Sequence, residues 1–161
     1  MPKGKQKDDS PALDETDIAI LQLLQQNARM TVKEISGKVH LSPTPVHERL
    51  RRLESTGVIR QYVAILDGTK VGRSLMVICY VSLRQHNKNA GAKFIEAVMH
   101  MDEVLECLTI SGPFDFMLKV VAADMDAYYN FHVNKLSALE NVANVQSAFV
   151  MGVIKQSWKV V

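Results

Sequence analysis

Residues 42–59 read Ser-Pro-Thr-Pro-Val-His-Glu-Arg-Leu-Arg-Arg-Leu-Glu-Ser-Thr-Gly-Val-Ile, and this stretch decides how the chain is organised. Wound as a helix at about 100° per residue, it puts Val46, Leu50 and Leu53 on one stripe and Thr44, His47, Glu48, Arg51, Arg52 and Ser55 roughly opposite. One side requires a core and the other a charged partner. Ser42 suits the N-cap, Pro43 the first helical turn where a missing N–H costs nothing, and Gly57 the left-handed residue that ends a helix. The spacing therefore predicts a bounded helix of about three to four turns.

Working outward towards the N-terminus, Thr31 to Val39 predicts a second short helix with Val32, Ile35 and Val39 on one side. Only His40 and Leu41 separate it from Ser42. Two short helices joined by such a turn make a helix-turn-helix, whose second helix can enter the DNA major groove. Asp14 opens a third, scaffold helix with Ile18, Leu21, Leu24 and Ala28 at helical period and Ile20 and Leu23 widening the apolar face. Glu15 and Asp17 suit its positive N-terminal end.

The whole chain has 161 residues, 47% hydrophobic and 22% charged, and a formal net charge of +2. Those values fit a globular chain with a sizeable core. Charge is uneven: residues 29–60 hold seven Lys and Arg against three Glu, a local excess of +4 on the helix-turn-helix. Cys79 and Cys107 lie in apolar runs without C-x-x-C spacing and read as small core residues. The start lacks the apolar region of a secretory signal and no run approaches the ~18 apolar residues of a membrane helix, so the expected compartment is the cytoplasm, with no membrane partner.

Towards the C-terminus, Gln61 to Leu66 is a β-like run that Asp67-Gly68 stops, read as a connector strand. The period then changes from 3.6 to 2. Ser74 to Leu83 predicts a long strand, and a polar loop over 84–89 precedes a helix burying Phe94, Ala97, Val98 and Met101. Glu103 to Ile110 and Asp115 to Ala122 predict a hairpin. A helix from an Asp124 cap to about Leu139, burying Met125, Tyr128 or Tyr129, His132, Leu136 and Leu139, leads to a last strand over roughly 145–154. The order βαββαβ is ferredoxin-like, with two helices on one face of a four-stranded antiparallel sheet. The fold class expected is therefore α+β, in four segments: a disordered basic tail over 1–12, a winged-helix-like helix-turn-helix domain over 13–60, a connector strand or hinge over 61–73, and a βαββαβ domain over 74–161.

Both faces of the predicted first and last strands are apolar. In the first, Met76, Ile78 and Tyr80 oppose Val77, Cys79, Val81 and Leu83; in the last, Ala148, Val150 and Ile154 oppose Phe149, Met151 and Val153. Helices cover only one face, so the other predicts a second copy of the chain. A dimer would present two recognition helices to half-sites about 34 Å apart or a multiple of that.

From Leu13 to about Ser157 the chain resembles the feast/famine regulators, the Lrp/AsnC family. The matching motifs are Leu-Asp-Glu-Thr-Asp-Ile-Ala-Ile-Leu in the first helix, the stretch from Leu41 to Ile59, Gly112 with Asp115 and Met-Leu-Lys-Val, and Val150-Met151 with Lys155. The resemblance implies a prokaryotic, nucleoid-associated transcription regulator. Its βαββαβ domains would pair into dimers that assemble into tetramers, octamers or larger rings, and a small molecule, usually an amino acid, would bind between dimers. By that resemblance the effector site involves Gly112, Pro113, Phe114 and Asp115, with Ala148, Phe149 and Val150 and with Met125 nearby. Asp115 would receive an α-ammonium and the amides around Gly112 a carboxylate, although Pro113 removes one N–H donor.

For DNA, the expected base-edge readers are Thr44, Pro45, His47 and Arg51, and the expected phosphate contacts Ser42, Arg49 and Arg52. Arg49 also lies towards the core stripe, where its stem would pack. His40, His47, His86, His100 and His132 are scattered without ligand spacing, so neither a metal nor any other resident cofactor is expected. There is also no nucleophile motif, phosphate-binding glycine loop or paired carboxylates, which speaks against an enzyme. The alternative to an effector-responsive regulator is an effector-independent architectural DNA binder.

Overall fold

The structure, a computed structural model, describes residues 12–85 and 88–161. Most of the predicted basic tail and part of the 84–89 loop lie outside the described residues. The chain forms two compact units, one of residues up to Ala64 together with Lys155–Val161, the other Ile65–Ile154.

The first unit contains α1 (Glu15–Gln26), α2 (Val32–Val39) and α3 (Pro43–Ser55). α1 and α2 start where orphan N–H groups find side-chain acceptors. Asp14 caps α1 in a capping box, its Oδ1 accepting from the Asp17 amide at 2.8 Å while Asp17 Oδ2 accepts from the Asp14 amide at 3.1 Å. Thr31 and Glu34 repeat that box on α2. Ser42 occupies the N-cap of α3, but its hydroxyl makes no capping bond. Proline at the first helical position has already removed one of the orphan donors. His40 takes a left-handed φ of 56° to make the turn, and Gly57 does so at 74° just beyond α3. Ile20, Leu21, Ile35, Val46 and Leu53 form the core, joined by half-buried Leu50, Val58 and Ile59. On α1 the helix stops at Gln26, so Ala28 falls outside it.

In the second unit β1 (Leu75–Leu83), β2 (Val104–Thr109), β3 (Phe116–Ala122) and β4 (Val142–Phe149) form an antiparallel sheet in the order β2-β3-β1-β4. With α4 (Lys88–Met99) and α5 (Met125–Phe131) this is the ferredoxin-like arrangement. Alternation along β1 and β3 sends Val77, Cys79, Val81, Leu83, Phe116, Leu118, Val120 and Ala122 into one core with Phe94, Val98, Tyr128, Phe131 and Leu136. Their neighbours Met76, Ile78, Tyr80, Met117 and Val121 stay half-exposed on the other face. That face also carries an ion pair, Lys119 Nζ to Glu106 Oε1 at 2.9 Å.

Three elements differ from the sequence reading. The last α-helix ends at Phe131 and continues as a π-helical turn, His132–Leu136. Its wider i→i+5 spacing carries both Phe131 and Leu136 into the core and leaves Lys135 outside, 2.6 Å from Glu103 Oε1. Met125, expected inside, is 54% exposed. The last strand runs earlier than expected: its pairing with β1 stops at Val77↔Phe149, followed by the bond from the Val150 amide to the Met76 carbonyl. Residues 61–66 form no strand, since they have no neighbouring strand to bond; Tyr62, Val63, Ile65 and Leu66 are all exposed.

Candidate nucleic-acid interface and effector surface

On α3 the apolar stripe fixes the orientation: Val46 and Leu53 are buried, so the opposite side faces solvent. Ser42, Thr44, His47, Glu48 and Arg51 are exposed there, and Pro45 is half-buried at the flank. These are the donors and acceptors a major groove can meet near a helix N-terminus. Glu48, which the sequence reading did not select, sits amid them and can accept from a cytosine amino group.

Arg49 and Arg52 turn towards α1 instead. Arg49 Nη1 donates to Asp14 Oδ2 at 2.6 Å and to Asp17 Oδ1 at 2.7 Å, and Arg52 Nη2 donates to Asp17 Oδ2 at 2.5 Å. Asp17 is 0% exposed, so the capping box of the scaffold helix holds two arginines of the recognition helix. Sequence reading gave Asp17 only a helix-dipole role. The signal available was Arg49 on the flank of the apolar stripe, where a half-buried cation requires a counter-ion.

Burial pushes the Asp17 carboxyl up, but the Asp14 amide and the Arg49 and Arg52 guanidinium groups outweigh it and hold the group below the ordinary 3.8. The Asp17 amide and Arg49 lower Asp14 in the same way. A depressed folded-state value means that the stabilisation is complete above the unfolded value and is lost as pH falls through the folded one. The melting temperature of the first unit, followed by circular dichroism, is therefore expected to hold from pH 7 to about pH 5 and to drop below about pH 4. A melting temperature that rose on acidification would contradict the ion-pair account.

The predicted effector residues divide between two ends of the sheet. Gly112, with φ 126°, Pro113 and Phe114 lead into the start of β3, where the Asp115 amide bonds the Val81 carbonyl at 2.9 Å. Phe114 stacks on Tyr80, ring centres 5.4 Å apart. Asp115 Oδ2 accepts from the Leu83 amide at 2.7 Å, so one carboxylate oxygen secures the strand end. Ala148 and Phe149 pair instead with Ile78 and Val77 on the other edge of β1, and Phe149 packs edge-on against Tyr128 at 5.4 Å. Met125 lies beyond the far end of β3, whose seven residues span roughly 23 Å at about 3.3 Å each. One chain does not gather these residues into a pocket. A cleft of about 890 Å³ lined by Arg84, Lys93, Phe94, Asn141 and Val142, among others, contains none of them.

Among the described residues no three His, Cys, Asp or Glu side chains come together as metal ligands, and no helix is long and apolar enough to cross a membrane.

Two family profiles match the chain: winged helix-turn-helix DNA-binding over residues 13–60 and the Lrp/AsnC ligand binding domain over residues 76–160. The chain belongs to the Lrp/AsnC family. Its relatives include the leucine-responsive regulatory protein of Escherichia coli (strain K12), 38% identical over 149 residues that span 92% of this chain and 91% of that protein. The transcriptional regulator AzlB of Bacillus subtilis (strain 168) is 34% identical over 145 residues, 90% of this chain and 92% of that one. Among solved structures, a transcriptional regulator of Neisseria meningitidis in complex with L-Met superposes with a TM-score of 0.86 at 39% identity, covering 91% of this chain and 95% of that one. This Lrp/AsnC chain is accordingly a transcriptional regulator with a helix-turn-helix DNA-binding unit and a ligand-binding unit.

Proposed function

We propose that α3 reads an operator through Thr44, Pro45, His47 and Arg51, with Ser42 on a phosphate, and that an amino acid bound between dimers alters the assembly and so the DNA-binding units. One observation carries the DNA part: Thr44, His47 and Arg51 share the exposed side of a helix whose other side is locked into the first core. The separation of Gly112–Asp115 from Ala148–Val150 and Met125 supports an effector site completed only by another copy of the chain. The half-exposed apolar residues Met76, Ile78, Tyr80, Met117 and Val121 supply a face for the dimer. DNA is the macromolecular partner, and the compartment is the cytoplasm, on the nucleoid.

The test begins with selection of duplexes from a random library. Arg51→Ala is expected to weaken the selected duplex by about 1 to 3 kcal/mol and to relax preference at one base pair. Equal weakening on every sequence, with a shallower salt dependence, would make Arg51 a phosphate contact. Light scattering with each amino acid, L-Met first, is expected to show a change of assembly. The same ligand should raise the melting temperature, because binding at 100 times Kd adds about 2.7 kcal/mol to the folded state. Indifference to the full amino-acid set would favour an architectural DNA binder.

A further inference from the structure

We infer that Asp17 is a positioning residue for DNA recognition: it sets the pose of α3 and withdraws Arg49 and Arg52 from the phosphate backbone. The inference rests on the DNA-binding reading above. The apolar contacts of Val46 and Leu53 decide which side of α3 faces the core but are non-directional, and they tolerate small shifts of its axis. Charge-assisted hydrogen bonds do not. Asp17 offers its two oxygens to two different arginines one turn apart, Oδ1 to Arg49 and Oδ2 to Arg52, and Asp14 takes a second bond from Arg49. The anchor for all of them is the first turn of α1, which the reciprocal bonds between Asp14 and Asp17 make rigid. α3 is thereby pinned at two points along its length, on the flank between its buried stripe and its exposed side.

The second consequence concerns charge. Two carboxylates face two guanidinium groups, so this cluster contributes no net charge to the DNA-facing surface. Arg52 is exposed too, but its guanidinium is held on Asp17, which leaves Arg51 as the arginine of α3 placed beside Thr44 and His47 without a bond to Asp17. Binding to arbitrary DNA grows with each cation free to release a counter-ion from a phosphate. Holding two arginines on Asp17 therefore suppresses sequence-independent affinity while keeping Thr44, His47 and Arg51 in register with base edges. Asp17 acts on discrimination between sequences without touching DNA.

The experiment measures binding of the wild type, Asp17→Asn, Arg52→Gln and the double variant to two duplexes of equal length, over a range of salt concentrations. One duplex is selected from a random library by the wild type and the other is unrelated. Asp17→Asn is expected to bind the unrelated duplex at least about threefold more tightly at low salt, and to steepen its log K against log[salt] slope by about one to two units, at about 0.9 per phosphate neutralised. Its ratio of selected to unrelated affinity should fall about tenfold. Adding Arg52→Gln to Asp17→Asn should return about one unit of slope, because it removes one released arginine. A merely structural role would lower both affinities together and leave the slope unchanged, and that result overturns the inference. If Asp17→Asn does not fold by circular dichroism, Arg52→Gln alone decides: a slope shallower by about half a unit or more makes Arg52 a phosphate contact and overturns it, whereas a smaller shift upholds it. A wild type that selects no duplex overturns the DNA reading itself and this inference with it; a selective wild type with unchanged variants overturns the inference alone.

Discussion

Ile78→Asp is expected to leave the protein monomeric. Ile78 lies in the middle of β1, half-exposed on the sheet face that no helix covers, between Met76 and Tyr80 and opposite Ala148 of β4. In a two-fold dimer formed through this face each substitution occurs twice. A carboxylate buried without a partner costs about 3 to 5 kcal/mol, so two of them shift the dimer constant by roughly four orders of magnitude or more. The substituted side chain points away from the helix-covered core, so the monomer itself should keep its fold. Light scattering at micromolar concentration with far-ultraviolet circular dichroism checks both points. A folded Ile78→Asp protein that remained dimeric would rule this face out as the interface.

Leu53→Ala is expected to melt the first unit and abolish DNA binding while the second unit stays folded. Leu53 is 1% exposed, in a core cluster that among the described residues has five buried members drawn from α1, α2 and α3. A Leu→Ala cavity costs about 2 to 5 kcal/mol, and a unit this small has little stability to lose. The second unit has its own core, built on Val77, Leu118, Phe131 and Leu136, none of which belongs to the first. Calorimetry should show the transition of the first unit lost and that of the second retained. Unimpaired binding to a selected duplex would contradict this account.

The two expectations draw on different kinds of legibility. The stripe Val46, Leu50, Leu53 could be read directly because helix period and hydrophobicity are local properties, and the same holds for the alternation in β1 and β3. Boundaries that depend on a neighbour could not. The end of β4 is set by where its pairing with β1 stops, and residues 61–66 have strand-like composition but no strand beside them. The π-helical turn at His132–Leu136 is likewise decided by which side chain the core can accept, Leu136 rather than Lys135.

The candidate sites divide in the same way. The amino-acid order determined that an amphipathic helix would present Thr44, His47 and Arg51 to solvent, because periodicity alone sorts the two sides of a helix. It also determined the ferredoxin-like order of elements and the apolar second face of the sheet. Only the tertiary structure decided that Arg49 and Arg52 turn to Asp17, and that Gly112–Asp115 stands apart from Ala148–Val150. Such pairings join residues more than 30 positions apart, and their geometry follows from how separate elements pack, which no local pattern encodes.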